Sequence, residues 1–118
     1  MAAGLATLEV YEEQNLFDRA AELAPFFEQV MHSMMGLPNV VDIRNCGLMA
    51  AVELTAIPGA PTKRSSDIFD RCFNKGLLCR ATGQTIALSP PLVSEKKDLQ
   101  QMVSILSEAI VESDKLLR

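Results

Sequence analysis

The chain has 118 residues, 48% hydrophobic and 22% charged. That balance belongs to an ordinary globular domain and excludes a disordered polypeptide. No apolar run approaches the roughly 20 residues a membrane-spanning helix requires, and residues 1–9 show no basic leader ahead of a longer apolar stretch. Eleven basic residues against fifteen acidic give a net charge of −4, and tryptophan is absent. Scattered cations and few aromatics do not suit a nucleic-acid surface, so neither nucleic acid nor a membrane is an expected partner.

In chain order, residues 5–14 read as a helix interrupted at Asn15. A stronger apolar stripe follows, Leu16, Ala20, Leu23, Phe27, Val30 and Met34, at helical spacing. Pro25 lies inside it, where a proline is expected to kink the helix or divide it in two. Gly36 and Pro38 are the expected stop.

The period then changes to two. Val41 and Ile43 alternate with Asp42 and Arg44, and Leu48, Ala50, Val52 and Leu54 alternate with Met49, Ala51 and Glu53. This predicts a hairpin turning at Asn45-Cys46-Gly47. Pro58-Gly59-Ala60-Pro61 is a loop. A short helix capped by Ser65 or Ser66 is expected to turn Ile68, Phe69, Cys72 and Phe73 inward and to stop at Gly76.

Two short strands, 77–80 and 85–88, are expected around the turn 81–84, with Pro90-Pro91 ending the second. Ser94 is the expected cap of a last amphipathic helix carrying Leu99, Met102, Val103, Leu106, Ile110 and Leu117. The order is helix, two strands, helix, two strands, helix. It predicts an α+β domain spanning residues 1–118, with a small antiparallel sheet covered by helices on one face.

Residues with obvious chemistry are few. Cys46, Cys72 and Cys79 form no C-x-x-C pair. With His32 they match no familiar zinc-ligand spacing, so reduced thiols of a cytoplasmic protein and a structural or solvent-facing histidine are the simpler reading. No nucleophile elbow or phosphate-cradling glycine loop is present. Lys63, Lys75, Lys96, Lys97 and Lys115 fall at loops, helix ends or polar helix faces, where nothing would depress a lysine pKa for Schiff-base chemistry. Arg80 stands apart, following Leu77, Leu78 and Cys79 and preceding a turn that contains Gly83. A guanidinium there offers two parallel donors to a carboxylate. The competing reading is an edge-strand arginine paired with a nearby Asp or Glu.

The stretch Ile43-Arg44-Asn45-Cys46-Gly47-Leu48-Met49-Ala50-Ala51-Val52-Glu53-Leu54, followed by the string from Gly76-Leu77-Leu78-Cys79-Arg80 through Gly83 to Ser89-Pro90-Pro91-Leu92, resembles the C-terminal small domain of class III pyridoxal-phosphate aminotransferases. The resemblance is nearest the ω-amino acid–pyruvate (β-alanine–pyruvate) branch. It covers nearly the whole chain and implies that residues 1–14 are the tail of a helix leading from a large domain. It further implies that Arg80 binds the carboxylate of an amino or keto acid and swings aside for an amine without one. Pyridoxal 5′-phosphate is the implied cofactor of the full-length enzyme. Its lysine and phosphate-binding groups would lie in the large domain, so no cofactor is expected on this chain alone and the chain is expected to be inactive by itself. Further implied partners are that large domain and, in the parent enzyme, further copies in a homo-oligomer. Gln84 departs from the acidic residue common in the family. A stand-alone carboxylate-binding or oligomerisation module is the alternative. An isolated chain is expected to expose an apolar flank near Leu5, Leu8 and residues 90–93.

Overall fold

The computed structural model describes residues 1–117. Four α-helices and four strands follow in the order α1 (Ala2–Glu13), α2 (Leu16–His32), β1 (Val40–Cys46), β2 (Met49–Leu54), α3 (Lys63–Asn74), β3 (Arg80–Thr82), β4 (Thr85–Leu88) and α4 (Lys96–Leu116), with a short 3-10 turn, Ser33–Gly36, after α2. The strands form one antiparallel sheet in the spatial order β1-β2-β4-β3. Helices α2, α3 and α4 close over one face of it. The α+β class and antiparallel sheet expected from the sequence are therefore present.

The core lies between that face and the helices. Ile43, Ala50, Val52, Leu54, Ile86 and Leu88 project from the sheet onto Phe27 and Met31 of α2, Met34 of the 3-10 turn, Ile68 and Cys72 of α3, and Leu99, Leu106 and Ile110 of α4. Helix α1 has no buried residue; Leu5 and Leu8 are exposed, and Tyr11 packs edge-on against Phe17 across the left-handed Asn15 (ring centroids 5.1 Å apart). Helix α2 runs unbroken through Pro25, so the division allowed by the sequence does not occur. Proline removes one N–H bond to the carbonyl four residues earlier. Here that carbonyl belongs to Ala21, an exposed residue that water can serve.

Several local expectations are corrected. The β1–β2 turn is Gly47-Leu48, one residue later than predicted, because Cys46 pairs with Met49. Gly47 takes φ +57° and Leu48 folds back into the core. A register shift between Val40 and Asp42 turns Val41 outward, against the simple alternation. Strand β3 begins only at Arg80. Leu77 and Cys79 do face inward, but continuing the register would place Leu78 and Leu77 opposite Ser89 and Pro90, where β4 has ended. Phe73 is exposed, and its ring stacks on Phe69 at 6.4 Å on the outside of α3.

The caps differ too. Helix α3 is capped at Thr62, three residues before Ser65, and the buried Ser65 hydroxyl meets the carbonyls of Thr62 and Gly83 at 2.9 and 2.5 Å, tying the helix to the β3–β4 turn. Helix α4 is capped by Glu95, whose side chain accepts from the Asp98 backbone while Asp98 accepts from the Glu95 N–H, a capping box. Ser94 instead donates to the Pro91 carbonyl at 2.7 Å. Of the expected apolar flank, Val93 is exposed but Pro90 is buried, and the Leu92 carbonyl accepts from Arg19 at 2.6 Å.

Candidate functional site: the open face of the sheet

Strand pairing sets the chemistry of the face the helices leave open. Arg44 is opposite Ala51, Ala51 opposite Ala87, and Ala87 opposite Arg80, so one cross-strand row reads Arg44-Ala51-Ala87-Arg80. Directly opposed residues share a face. Three steps of about 4.8 Å place the two Cα atoms of the arginines roughly 14 Å apart. The two alanines between them keep the middle of the row low. Shallow depressions of about 320 Å³ and 260 Å³ flank it, one bordered by Arg44, Met49 and Ala51, the other by Leu78, Cys79 and Arg80; both reach Ala87 and Ser89.

The neighbouring row on the same face is Asp42-Glu53-Thr85-Thr82. Its acids lie only on the β1 side. Arg44 bonds both of them, Asp42 at 2.8 Å and Glu53 at 2.7 Å, and these bonds raise its already high pKa, Glu53 first. Arg80 starts edge strand β3 with only threonines in the corresponding places. It is exposed, and among the described residues its side chain has no hydrogen-bond or ion-pair partner. The pairing with a nearby Asp or Glu that the competing reading proposes is not made among the described residues. Gln84, the second residue of the β3–β4 turn, lends its carbonyl to the Leu54 N–H at 2.9 Å.

Behind the β3 edge an ion network fastens α3 to α4. Arg71 bonds Asp67 at 2.7 Å and reaches Glu112 at 3.4 Å, while Lys75 bonds Glu108 and Glu112 at 3.0 and 3.1 Å. Partial burial, the largest single influence, works against the Asp67 carboxylate, but the Arg71 hydrogen bond, the Ser113 hydroxyl and the charges of Arg71 and Lys63 together hold its pKa below the usual range. Lys75, then burial acting in the opposite sense, sets Glu112, which is also held low.

The other candidates are dispersed. His32 is exposed and shares a 2.9 Å hydrogen bond with Asn45 Oδ1; Asn45 Nδ2 donates to Glu28 at 3.1 Å. Cys46 is exposed, at the hairpin end of β1, whereas Cys72 and Cys79 are buried in the core. No group of three or more His, Cys, Asp or Glu among the described residues is placed to hold a metal. All five lysines are exposed; Lys75 and Lys97 are held by glutamates and Lys96 sits over the Phe26 ring at 5.2 Å. These lysines do not fit a Schiff-base site, which needs a desolvated amine or a neighbouring cation. Among the described residues no helix is long and apolar enough to cross a membrane.

A four-stranded antiparallel sheet backed on one face by helices defines an α+β domain. The particular family is that of the class-III aminotransferases: its model matches residues 1–110, and the chain belongs to it. The chain is 50% identical over 113 residues to the omega-aminotransferase of Caulobacter vibrioides, covering 96% of this chain and 26% of that protein. It is 36% identical over 109 residues to the beta-alanine–pyruvate aminotransferase of Pseudomonas aeruginosa, covering 92% and 24%. Among solved structures, a transaminase from directed evolution by ancestral reconstruction superposes with a TM-score of 0.88 at 30% identity, over 98% of this chain and 27% of that one. The PMP-bound aminotransferase of Vibrio fluvialis superposes with a TM-score of 0.86 at 26% identity, over 97% and 26%. The chain thus spans about a quarter of the length of these relatives.

Proposed function

We propose that this chain is the substrate-gripping small domain of a class III aminotransferase, one that moves an amino group from an ω-amino acid or amine to pyruvate or a similar keto acid. Arg80 is the residue assigned to the substrate carboxylate. The observation that carries this reading is the free guanidinium on the open face, beside a depression lined by Leu78, Ala87 and Ser89. A planar donor pair with no internal partner suits bidentate recognition of a carboxylate. Its place at the first residue of a short edge strand leaves the long side chain room to move away for an amine lacking that group.

The relatives' names supply the reaction class, and pyridoxal 5′-phosphate is the resident cofactor that class implies, drawing electrons from the substrate carbon when bound. None of this chain's lysines suits it, so its attachment is assigned to the remaining three-quarters of the enzyme. Within this chain the residues bind and orient: Arg80 takes the carboxylate, the Ala51-Ala87 row leaves space for it, and Arg44, held by its own acids, stays out of the exchange. A homo-oligomer of the full-length enzyme belongs to the same proposal.

The test is steady-state kinetics of the full-length enzyme with Arg80→Ala and Arg80→Lys. Carboxylate-bearing partners should lose roughly 2–5 kcal/mol of binding in the alanine variant, as expected for a desolvated charge pair. Lysine should restore part of that loss, and an amine donor without a carboxylate should change little. Equal losses for both donor types would overturn the assignment.

A further inference from the structure

The register that sets the row Arg44-Ala51-Ala87-Arg80 also sets the row beside it, toward the β1–β2 turn. Cys46 is paired with Met49. Extending the β2–β4 ladder by one residue and the β3–β4 ladder by two sets Met49 and Leu78 on either side of Ser89. Ser89 borders both depressions of the open face, that of Met49 and that of Leu78, as this placement requires. All four members of the row Cys46-Met49-Ser89-Leu78 are exposed, Met49 by 60% and Leu78 by 74%. An exposed leucine standing alone is ordinary. Two long apolar side chains in one row, next to an unpaired guanidinium, mark a surface that meets a ligand.

Leu78 is also held in place. Gly76 ends α3 at φ +89°, its N–H donating to the Phe73 carbonyl at 3.0 Å and the Leu77 N–H to the Cys72 carbonyl at 2.8 Å. This is a Schellman motif. Leu77 and Cys79 are buried on either side of Leu78, so the extended backbone between them turns Leu78 to the open face. Two residues of extended chain set it roughly 6.6 Å from Arg80 on the same side.

We propose that Leu78 is a specificity-determining residue: with Ser89 and Met49 it forms a shelf for the carbon arm of a partner whose carboxylate lies on Arg80, so that the domain selects monocarboxylates with an unbranched aliphatic arm. This rests on the assignment of Arg80 to that carboxylate. Leu78 borders the same depression as Arg80. The row on the other side of the arginines, Asp42-Glu53-Thr85-Thr82, carries acids and hydroxyls, which an aliphatic arm would desolvate without return. The arm therefore turns toward Leu78. A second carboxylate on it would find no free cation in these rows, because Arg44 is held by Asp42 and Glu53.

The experiment uses the full-length enzyme with its cofactor bound, and straight-chain monocarboxylates from acetate to hexanoate as competitive inhibitors against a carboxylate-bearing donor. These probes carry a carboxylate for Arg80 and an arm for the shelf, and no reacting group. In the native enzyme affinity should rise about two- to fourfold per methylene, as for a methylene leaving water. Leu78→Asn should flatten that increment and leave acetate unchanged, and Leu78→Met should restore it. Arg80→Ala should weaken the whole series by one factor, acetate included, and keep the increment. An increment absent from the native enzyme, or unchanged in Leu78→Asn, would overturn the proposal. An increment that depends on Leu78 in a series indifferent to Arg80→Ala would support the shelf and overturn the carboxylate assignment instead. Leu78 is exposed and precedes β3, so its exchange leaves the core intact.

Discussion

At one edge of the sheet the Arg44 guanidinium is held by two carboxylates of its own chain; at the other, in the same cross-strand row, the Arg80 guanidinium reaches none among the described residues. The backbone treats the two alike. Each stands on an edge strand of a two-residue hairpin whose first turn residue is a glycine at φ +57°. What separates them is the neighbouring row, Asp42 and Glu53 on one side against Thr82 and Thr85 on the other. An arginine satisfied within the sheet is part of the scaffold. One left without an internal partner is available to a ligand, and it is the row of neighbours, not the arginine, that decides.

Four changes sharpen or break that contrast, in falling order of effect on stability. Ile86 is fully buried on β4, opposite both Val52 and Ala81. Ile86→Ala should cost about 2–5 kcal/mol in urea unfolding; a loss well below that would mean the edges do not share one core. Gly47→Ala and Gly83→Ala each force a side chain into left-handed backbone with no neighbouring atom in the way. Each should cost about 1–2 kcal/mol, and a large difference between them would break the equivalence of the two hairpins.

The third change concerns the helix pair behind the β3 edge. Asp67 and Glu112 have folded-state pKa values below their ordinary ones. Their stabilisation is complete above the unfolded values and is lost as pH falls through the folded ones, so the window lies on the acid side of the ordinary carboxylate range. Asp67→Asn should flatten the difference between urea midpoints at about pH 6 and about pH 3; an unchanged difference would remove Asp67 from the network. The smallest effect is expected of Arg44→Ala. Its ion pairs are half-exposed, so the thermal shift should be slight and should vanish near 1 M salt, where screening is nearly complete.

The fold was largely legible because its signals are periodic. The stripe of α2 and the alternation of β2 and β4 follow burial closely, with Leu23 and Phe27 inward and Ala50, Val52, Ile86 and Leu88 on the core face. Where the reading erred, a local bond or a missing neighbour decided. Ser94 and Ser65 are good caps by type, yet each is taken by a carbonyl elsewhere, leaving Glu95 and Thr62 at the helix starts. Val41 was misplaced by one shift of register. Arg80 could be singled out from its apolar approach and the following turn. That it is unpaired could not, because this depends on which residues lie across the sheet.

The most direct test of the central contrast sets Arg80→Ala beside Arg44→Ala in the full-length enzyme, measuring the rate ratio between a carboxylate-bearing donor and a plain amine. The account predicts that Arg80→Ala collapses the ratio while Arg44→Ala leaves it unchanged. A ratio that falls equally in both variants, or in Arg44→Ala alone, would contradict it.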